Sequence, residues 1–148
     1  MSDGQVTDAV DAIISIHPGY ATAILDGTKT IELRRRIPSL GKGARLWIYA
    51  TRPTAAVVGV ATIADVSRAH PRTIWQKHRA AAGVDYDSFT EYFAGTTQGI
   101  AILLAAARRV RPVSLEQLRK VRASFHPPQV LVRLTSAEAE ALENLAKP

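Results

Sequence analysis

The chain has 148 residues, a hydrophobic fraction of 47% and a net charge of +6, a size that suits one domain with its own core. Cysteine is absent, which excludes a disulfide framework, a thiolate nucleophile and any cysteine-ligated metal site. No apolar run reaches the about 18 residues of a membrane helix, and residues 1–10 lack the pattern of a signal peptide. We therefore expect a cytoplasmic protein, and its excess of positive charge favours polyanionic partners.

The first part of the chain predicts strands around one helix. After a flexible, polar leader over residues 1–10, the apolar run 12–16 predicts a strand. Pro18 suits the first position of a helix, and Gly27 suits its left-handed end. Three further strands are predicted over residues 30–36, 45–50 and 55–64. Gly59 inside the last of these indicates a bulge or a barrel corner.

Helices are predicted in the middle of the chain. Pro71 begins a helix that runs to Gly83, and Ser88 with Glu91 predicts a capping box for a second helix that ends near Gly95. The remaining predicted elements are a strand over 100–107, a short helix capped by Ser114 and Gln117, a strand over 130–134 and a terminal helix capped by Thr135 and Glu138. This mixture predicts an α+β fold, with one domain over residues 11–148.

The most concentrated group of chemically active side chains is the pattern G-x-K-x-x-E-x-R of residues 27–34. Alternate side chains of a strand share a face, so Glu32, Arg34 and Arg36 are expected on one face and Ile31 and Leu33 on the other. Glu32 and Arg34 would lie roughly 7 Å apart. Cations beside a carboxylate can bind a ligand that carries both donors and anionic groups, and a nucleotide is the obvious candidate.

The segment 13–36, with a helix that leads into this pattern, resembles the ASCH domain family, which shares a PUA-like β-barrel. The resemblance continues through RLWIYATRP, the Ala/Val-rich strand after it, the helices that end in FTEYFAG, and the HPPQ segment at 126–129. It implies a small barrel with flanking helices and a cleft that binds RNA or a nucleotide, modified or unmodified. The wider group includes modified-base readers, transcriptional coregulators, a ribonuclease and an amidohydrolase acting on N4-acetylcytidine, so it restricts the ligand more than the reaction.

Together, the pattern and the resemblance predict the residues that bind RNA or a nucleotide: Gly27, Lys29, Glu32, Arg34, Arg36 and Arg52. In this interpretation Lys29 meets a phosphate or carbonyl oxygen, and Glu32 accepts from a base edge or a water. Arg34 orients Glu32 and meets an anion, while Arg36 and Arg52 contact the RNA backbone. In the alternative interpretation Lys29 is a solvated turn residue, and Glu32 with Arg34 is a surface ion pair worth about 0–1 kcal/mol.

Two other functions stay open. In the amidohydrolase branch the motif resembles K-x-x-T-x-R, with the threonine as nucleophile, but this chain has Glu32 at that place. If the protein is a hydrolase of acylated nucleosides or of RNA, Lys29 and Glu32 are the expected catalytic, proton-handling pair. The other possibility is a coregulator whose basic surface contacts a protein partner. No cofactor is predicted and no metal site, because the four histidines lack ligand spacing; the oligomeric state is left open.

Overall fold

The computed structural model describes residues 10–129 and 131–148. Its elements, in chain order, are β1 (Asp11–Ile16), α1 (Pro18–Asp26), β2 (Ile31–Arg34), β3 (Arg45–Ala50), β4 (Ala56–Ala69), α2 (Pro71–Ala82), α3 (Tyr86–Tyr92), β5 (Gly99–Ser114), α4 (Leu115–Val121), β6 (Leu131–Leu134) and α5 (Ser136–Leu145). The predicted leader lies outside the described residues except for Val10. The Val10 carbonyl accepts a hydrogen bond from the Arg45 N–H at 2.8 Å, next to the first β1–β3 pair.

One mixed sheet carries the fold, with its six strands in the order β2-β5-β4-β3-β1-β6. Strands β1 and β3 pair in parallel, and the other neighbours pair antiparallel. Among the described residues β2 and β6 form the two edges, so the sheet is barrel-like but open. The predicted α+β class is confirmed, and the predicted barrel takes this open form. No helix in the described ranges is long and apolar enough to cross a membrane.

A bulge at Gly59 bends the sheet under α1. The register of β4 shifts between Val57 and Gly59 against β5, as the glycine predicted. A Cβ atom at Gly59 would lie 2.4 Å from Leu25 Cδ2 and 2.8 Å from the Arg108 carbonyl oxygen. Only glycine therefore allows α1, which leads into the G-x-K-x-x-E-x-R segment, to pack this closely on the sheet.

Apolar side chains pack on both faces of the sheet. Ile14, Ile24 and Ile48 belong to the cluster beneath α1, whereas the opposite face, which includes Trp47, is covered by α4 and α5. A third cluster joins β2 to α2 and α3 through Ile31, Leu33, Ile74, Ala82, Phe89, Phe93 and Ala101. Because of this third cluster, α2 and α3 are held directly against the strand that carries the motif.

Several predicted elements differ from the structure. The Ser88–Glu91 capping box is wrong: α3 begins at the N-cap Asp85, whose Oδ1 accepts a hydrogen bond from the Ser88 N–H at 2.7 Å. An aspartate one turn earlier satisfies the free N–H groups first. Strands β4 and β5 extend to Ala69 and Ser114, beyond their predicted ends. The polar second half of each strand lacks apolar alternation and is held as a strand by antiparallel pairing with the first half of the other.

Candidate nucleotide-binding cleft

The turn between α1 and β2 fixes the position of Lys29. Helix α1 begins at His17, whose Nδ1 accepts from the Gly19 N–H, and ends at Gly27 in the left-handed conformation with φ of 85°. The N–H groups of Thr28 and Lys29 both donate to the Ala23 carbonyl, at 3.0 and 3.1 Å. The chain therefore leaves the helix in one defined direction and enters β2, which pairs antiparallel with β5.

Lys29 is a buried cation, with only 2% of its surface exposed. Its Nζ donates to the Ala82 carbonyl at the end of α2, and its stem packs against Gly83. The same Nζ lies 5.0 Å from the centre of the Tyr20 ring, within the range of a cation–π contact. Burial lowers the pKa of Lys29 below its usual 10.5; the Glu32 carboxylate opposes this shift and the Arg34 cation adds to it.

Glu32 and Arg34 form a nearly buried pair beside this lysine. Glu32 Oε2 accepts from Arg34 Nε at 2.9 Å and lies 2.9 Å from Nη2. Arg34 Nη2 also donates to the Ser15 carbonyl at 2.7 Å, which ties the pair to β1. Glu32 Oε1 lies 4.0 Å from Lys29 Nζ. The cluster thus joins two cations to one carboxylate, which leaves an excess of positive charge for an anionic ligand.

These three side chains line a cleft of about 430 Å³, a volume within the usual range of small-molecule sites. Its walls come from β1, α1, β2 and α3, and include the rings of Tyr20, Phe89 and Tyr92. The Tyr92 hydroxyl accepts a hydrogen bond from the Arg35 N–H at 3.2 Å, which fixes the end of α3 to the segment after β2. Burial raises the pKa of Tyr92, so its phenol is protonated at neutral pH.

The structure brings Lys29, Glu32 and Arg34 together and places the other three predicted residues elsewhere. Gly27 caps α1 and borders a separate hollow of about 440 Å³ on another side of Lys29. Arg36 is exposed and lies past the end of β2, because the strand ends at Arg34 rather than at the predicted residue 36. Arg52 is exposed in the turn after β3, and neither arginine lines the cleft.

The aromatic walls of the cleft were not predicted from the sequence. Tyr20 and Tyr92 are large apolar side chains exposed on the helices α1 and α3. Tyr20 stands at helical spacing from Ala23 and Ile24, which is the pattern of a core residue, so no signal in the sequence indicated its place in the cleft. Within residues 10–129 and 131–148, no group of three or more His, Cys, Asp or Glu side chains could hold a metal ion.

The sheet, the helices around it and the cationic cleft at β2 define a small α+β protein with a barrel-like open sheet. The family model of the ASCH domain matches residues 14–123. A relative from Zymomonas mobilis subsp. mobilis, named ASCH domain-containing ribonuclease, is 39% identical over 141 residues, which are 95% of each chain. The chain therefore belongs to the ASCH domain family.

Solved structures agree with this assignment. The crystal structure of ASCH from Zymomonas mobilis superposes with a TM-score of 0.90 at 39% identity, over 93% of this chain and 96% of that one. The N-terminal domain of Staphylothermus marinus McrB is similar with a TM-score of 0.57 at 12% identity, over 93% of this chain and 98% of that one. The second likeness concerns the fold alone.

Proposed function

We propose that this protein binds RNA and takes one nucleotide of it into the cleft at β2. The observation that carries the proposal is the nearly buried array of Lys29, Glu32 and Arg34, which lines a cleft of about 430 Å³. A solvated lysine and a surface ion pair would not be buried in this way. Burial strengthens each electrostatic contact with a ligand, because water competes less for the same groups.

Each part of the cleft matches one part of a nucleotide. The excess positive charge of Lys29 and Arg34 attracts a phosphate, and the free lone pairs of Glu32 accept from amino or imino groups on a base edge. The rings of Tyr20 and Tyr92 offer flat surfaces against which a base can stack. Arg36 and Arg52, which lie outside the cleft, stay in the proposal as contacts to the RNA backbone.

The test is the binding of a labelled single-stranded RNA at fixed salt concentration. Arg34→Ala should bind at least about tenfold more weakly than the wild type, since it removes a charge-assisted contact worth about 1.5–3 kcal/mol. Lys42→Ala is the matched control, because Lys42 is exposed and precedes β3, at the end of the sheet away from the cleft. Circular dichroism spectra verify that both variants are folded. Equal affinities of Arg34→Ala and wild type would remove the cleft from the interface.

Cleavage of the bound RNA is the second candidate function. It is favoured by the relative named a ribonuclease, which matches this chain at 39% identity over nearly its whole length. Phosphodiester cleavage needs a group that moves a proton and a cation that stabilises charge on the phosphate. Lys29 and Glu32, 4.0 Å apart, supply the proton-handling pair, and Arg34 supplies the cation.

Cleavage is tested with end-labelled RNA, with wild type and Glu32→Gln purified side by side so that contaminating nuclease appears equally in both. Activity in the wild type and its loss in Glu32→Gln is the expected result. N4-acetylcytidine is assayed in parallel, and its hydrolysis would indicate an amidohydrolase instead of a ribonuclease. If neither substrate turns over faster than with Glu32→Gln, the protein binds RNA without cleaving it.

A further inference from the structure

A second groove, of about 460 Å³, lies on the other side of α3, between α3 and α2. Helix α2 contributes Arg72, Trp75, Gln76 and Arg79 to it. These positions follow the spacing i, i+3, i+4 and i+7, so they form one stripe along the helix. A stripe at this spacing usually carries aliphatic residues toward a core. Here it carries two exposed arginines, an exposed amide and a partly buried indole.

Aromatic rings form the floor and one wall of the groove. Tyr86 is 57% exposed, the highest exposure among the large hydrophobic side chains described. Its ring meets Trp75 edge to face, with the ring centres 5.2 Å apart, and Trp75 in turn lies 5.0 Å from Phe89. The buried Phe89 therefore supports a partly exposed indole whose neighbour Tyr86 keeps an open surface. Such rings bind the flat faces of unpaired bases with little dependence on sequence.

The charges around the groove suit a polyanion. Arg72 and Arg79 are exposed, and within the described ranges neither forms an ion pair with a carboxylate. Asp65 is the carboxylate nearest to Arg72 in sequence, and for Arg79 the nearest carboxylates flank Tyr86. Of these, Asp85 is engaged in capping α3 through the Ser88 N–H, and Asp87 lies in the first turn of α3, where the helix dipole stabilises its charge.

Phe89 connects this groove to the cleft at β2, because its side chain lines both. We infer that the groove binds a second, unpaired nucleotide of the same RNA strand, with its base on the Trp75–Tyr86 pair and its phosphates at Arg72 and Arg79. This inference rests on the proposed function of the cleft. It adds that the substrate is single-stranded at this point, since a paired base has no free face to stack on a side chain.

The two tryptophans of the chain provide a direct readout. Trp47 is fully buried, and its Nε1 donates to Asp11 at 2.7 Å, so a ligand cannot reach it. Trp75 lines the groove. Titration with a single-stranded oligoadenylate of about 12 nucleotides, within the usual size of such sites, should therefore quench part of the tryptophan emission. Trp75→Phe should abolish the quenching and keep the fold.

Three variants separate stacking from charge. Tyr86→Ala removes an exposed ring and should weaken binding about 5- to 150-fold, the effect of losing one stacked base. Arg72→Ala/Arg79→Ala should reduce the slope of log affinity against log salt by roughly 1.4, at about 0.7 per single-strand phosphate. The control Lys42→Ala/Lys147→Ala removes two charges elsewhere. Both lysines are exposed, before β3 and after α5 respectively, and this pair should leave the quenching and the affinity near wild type.

The outcomes distinguish the inference from the proposed function. If wild type binds RNA and Arg34→Ala does not, but Tyr86→Ala and the double arginine variant behave like the lysine control, the groove is not a subsite and the cleft stands. If wild type shows neither binding nor quenching, the proposed function fails with it. A duplex RNA of the same length that quenches Trp75 as strongly as the single strand would also overturn the inference.

Discussion

Replacement of Arg34 by methionine tests whether the cleft is built around an interdependent cluster. Methionine keeps much of the volume of arginine and removes its charge. Arg34 donates to the Glu32 carboxylate at 2.9 Å and to the Ser15 carbonyl at 2.7 Å. Hydrogen bonds that involve a charged group contribute about 1.5–3 kcal/mol each, so the two together amount to about 3–6 kcal/mol.

The expected loss is smaller than this sum for two reasons. The cleft is open on one side, so water can replace part of what Arg34 donates. In addition, Glu32 keeps the ammonium of Lys29 at 4.0 Å, so its charge is not left alone. We therefore expect Arg34→Met to lower the free energy of unfolding by about 2–4 kcal/mol. Arg36→Met, two residues away and exposed, should change it by less than about 0.5 kcal/mol.

The measurement is urea unfolding followed by far-ultraviolet circular dichroism, with Glu32→Gln and the double variant included. If Glu32 and Arg34 depend on each other, the double variant will be more stable than the sum of the single losses predicts, by about 1–3 kcal/mol. Equal stabilities of Arg34→Met and Arg36→Met would refute the reasoning. So would additive losses in the double variant, because they would mean that Arg34 does not hold Glu32 in place.

Three further predictions concern single residues. Lys29→Met removes a side chain whose pKa is lower in the folded protein than in the unfolded chain. Because the unfolded chain binds the proton more tightly, wild type should gain stability relative to Lys29→Met as the pH rises from neutral toward 10.5. Urea unfolding across that pH range measures the difference. Gly59→Ala places a Cβ 2.4 Å from Leu25 Cδ2 and should lower the free energy of unfolding by about 1–3 kcal/mol in the same assay. An unchanged stability would show that α1 can move away from the sheet. Hydrogen bonds from Arg122 hold the pKa of Glu138 at about 2 instead of 4.5, so the ionised carboxylate stabilises the fold above pH 4.5. Wild type should therefore be more stable than Glu138→Gln by about 1–2 kcal/mol at neutral pH, after allowance for screening. This difference in stability should vanish as the pH falls from 4.5 to 2.

Local signals explain why much of the fold was predictable from sequence. As predicted, α1 starts at Pro18 and is terminated by Gly27, since a fixed φ and a left-handed end depend only on those residues. Both predicted capping boxes of α4 and α5 are present. The second half of β5 was not predictable in the same way. It contains Arg108 and Arg109, and its strand conformation comes from pairing with β4 rather than from apolar alternation.

The candidate site also combines residues that the local sequence places with contacts that depend on distant segments of the chain. The two-residue period of a strand was enough to place Glu32 and Arg34 on one face, and Lys29 was added from the G-x-K-x-x-E-x-R pattern. The contact of Lys29 with the Ala82 carbonyl joins residues 53 positions apart. Such a contact depends on how α2 packs on β2, which no local sequence pattern predicts. The position of Tyr92 in the cleft depends on α3 in the same manner.

The bond from Lys29 to the Ala82 carbonyl makes the lysine the cap of a helix it does not belong to. The C-terminal end of α2 carries unpaired carbonyls and a partial negative charge, and an ammonium there stabilises the helix. A phosphate that draws Lys29 toward itself would free the Ala82 carbonyl, while the Thr30 N–H still donates to the Ala81 carbonyl at 3.0 Å. The last turn of α2 should then exchange its amide hydrogens faster when the cleft is occupied, although none of its backbone touches the ligand.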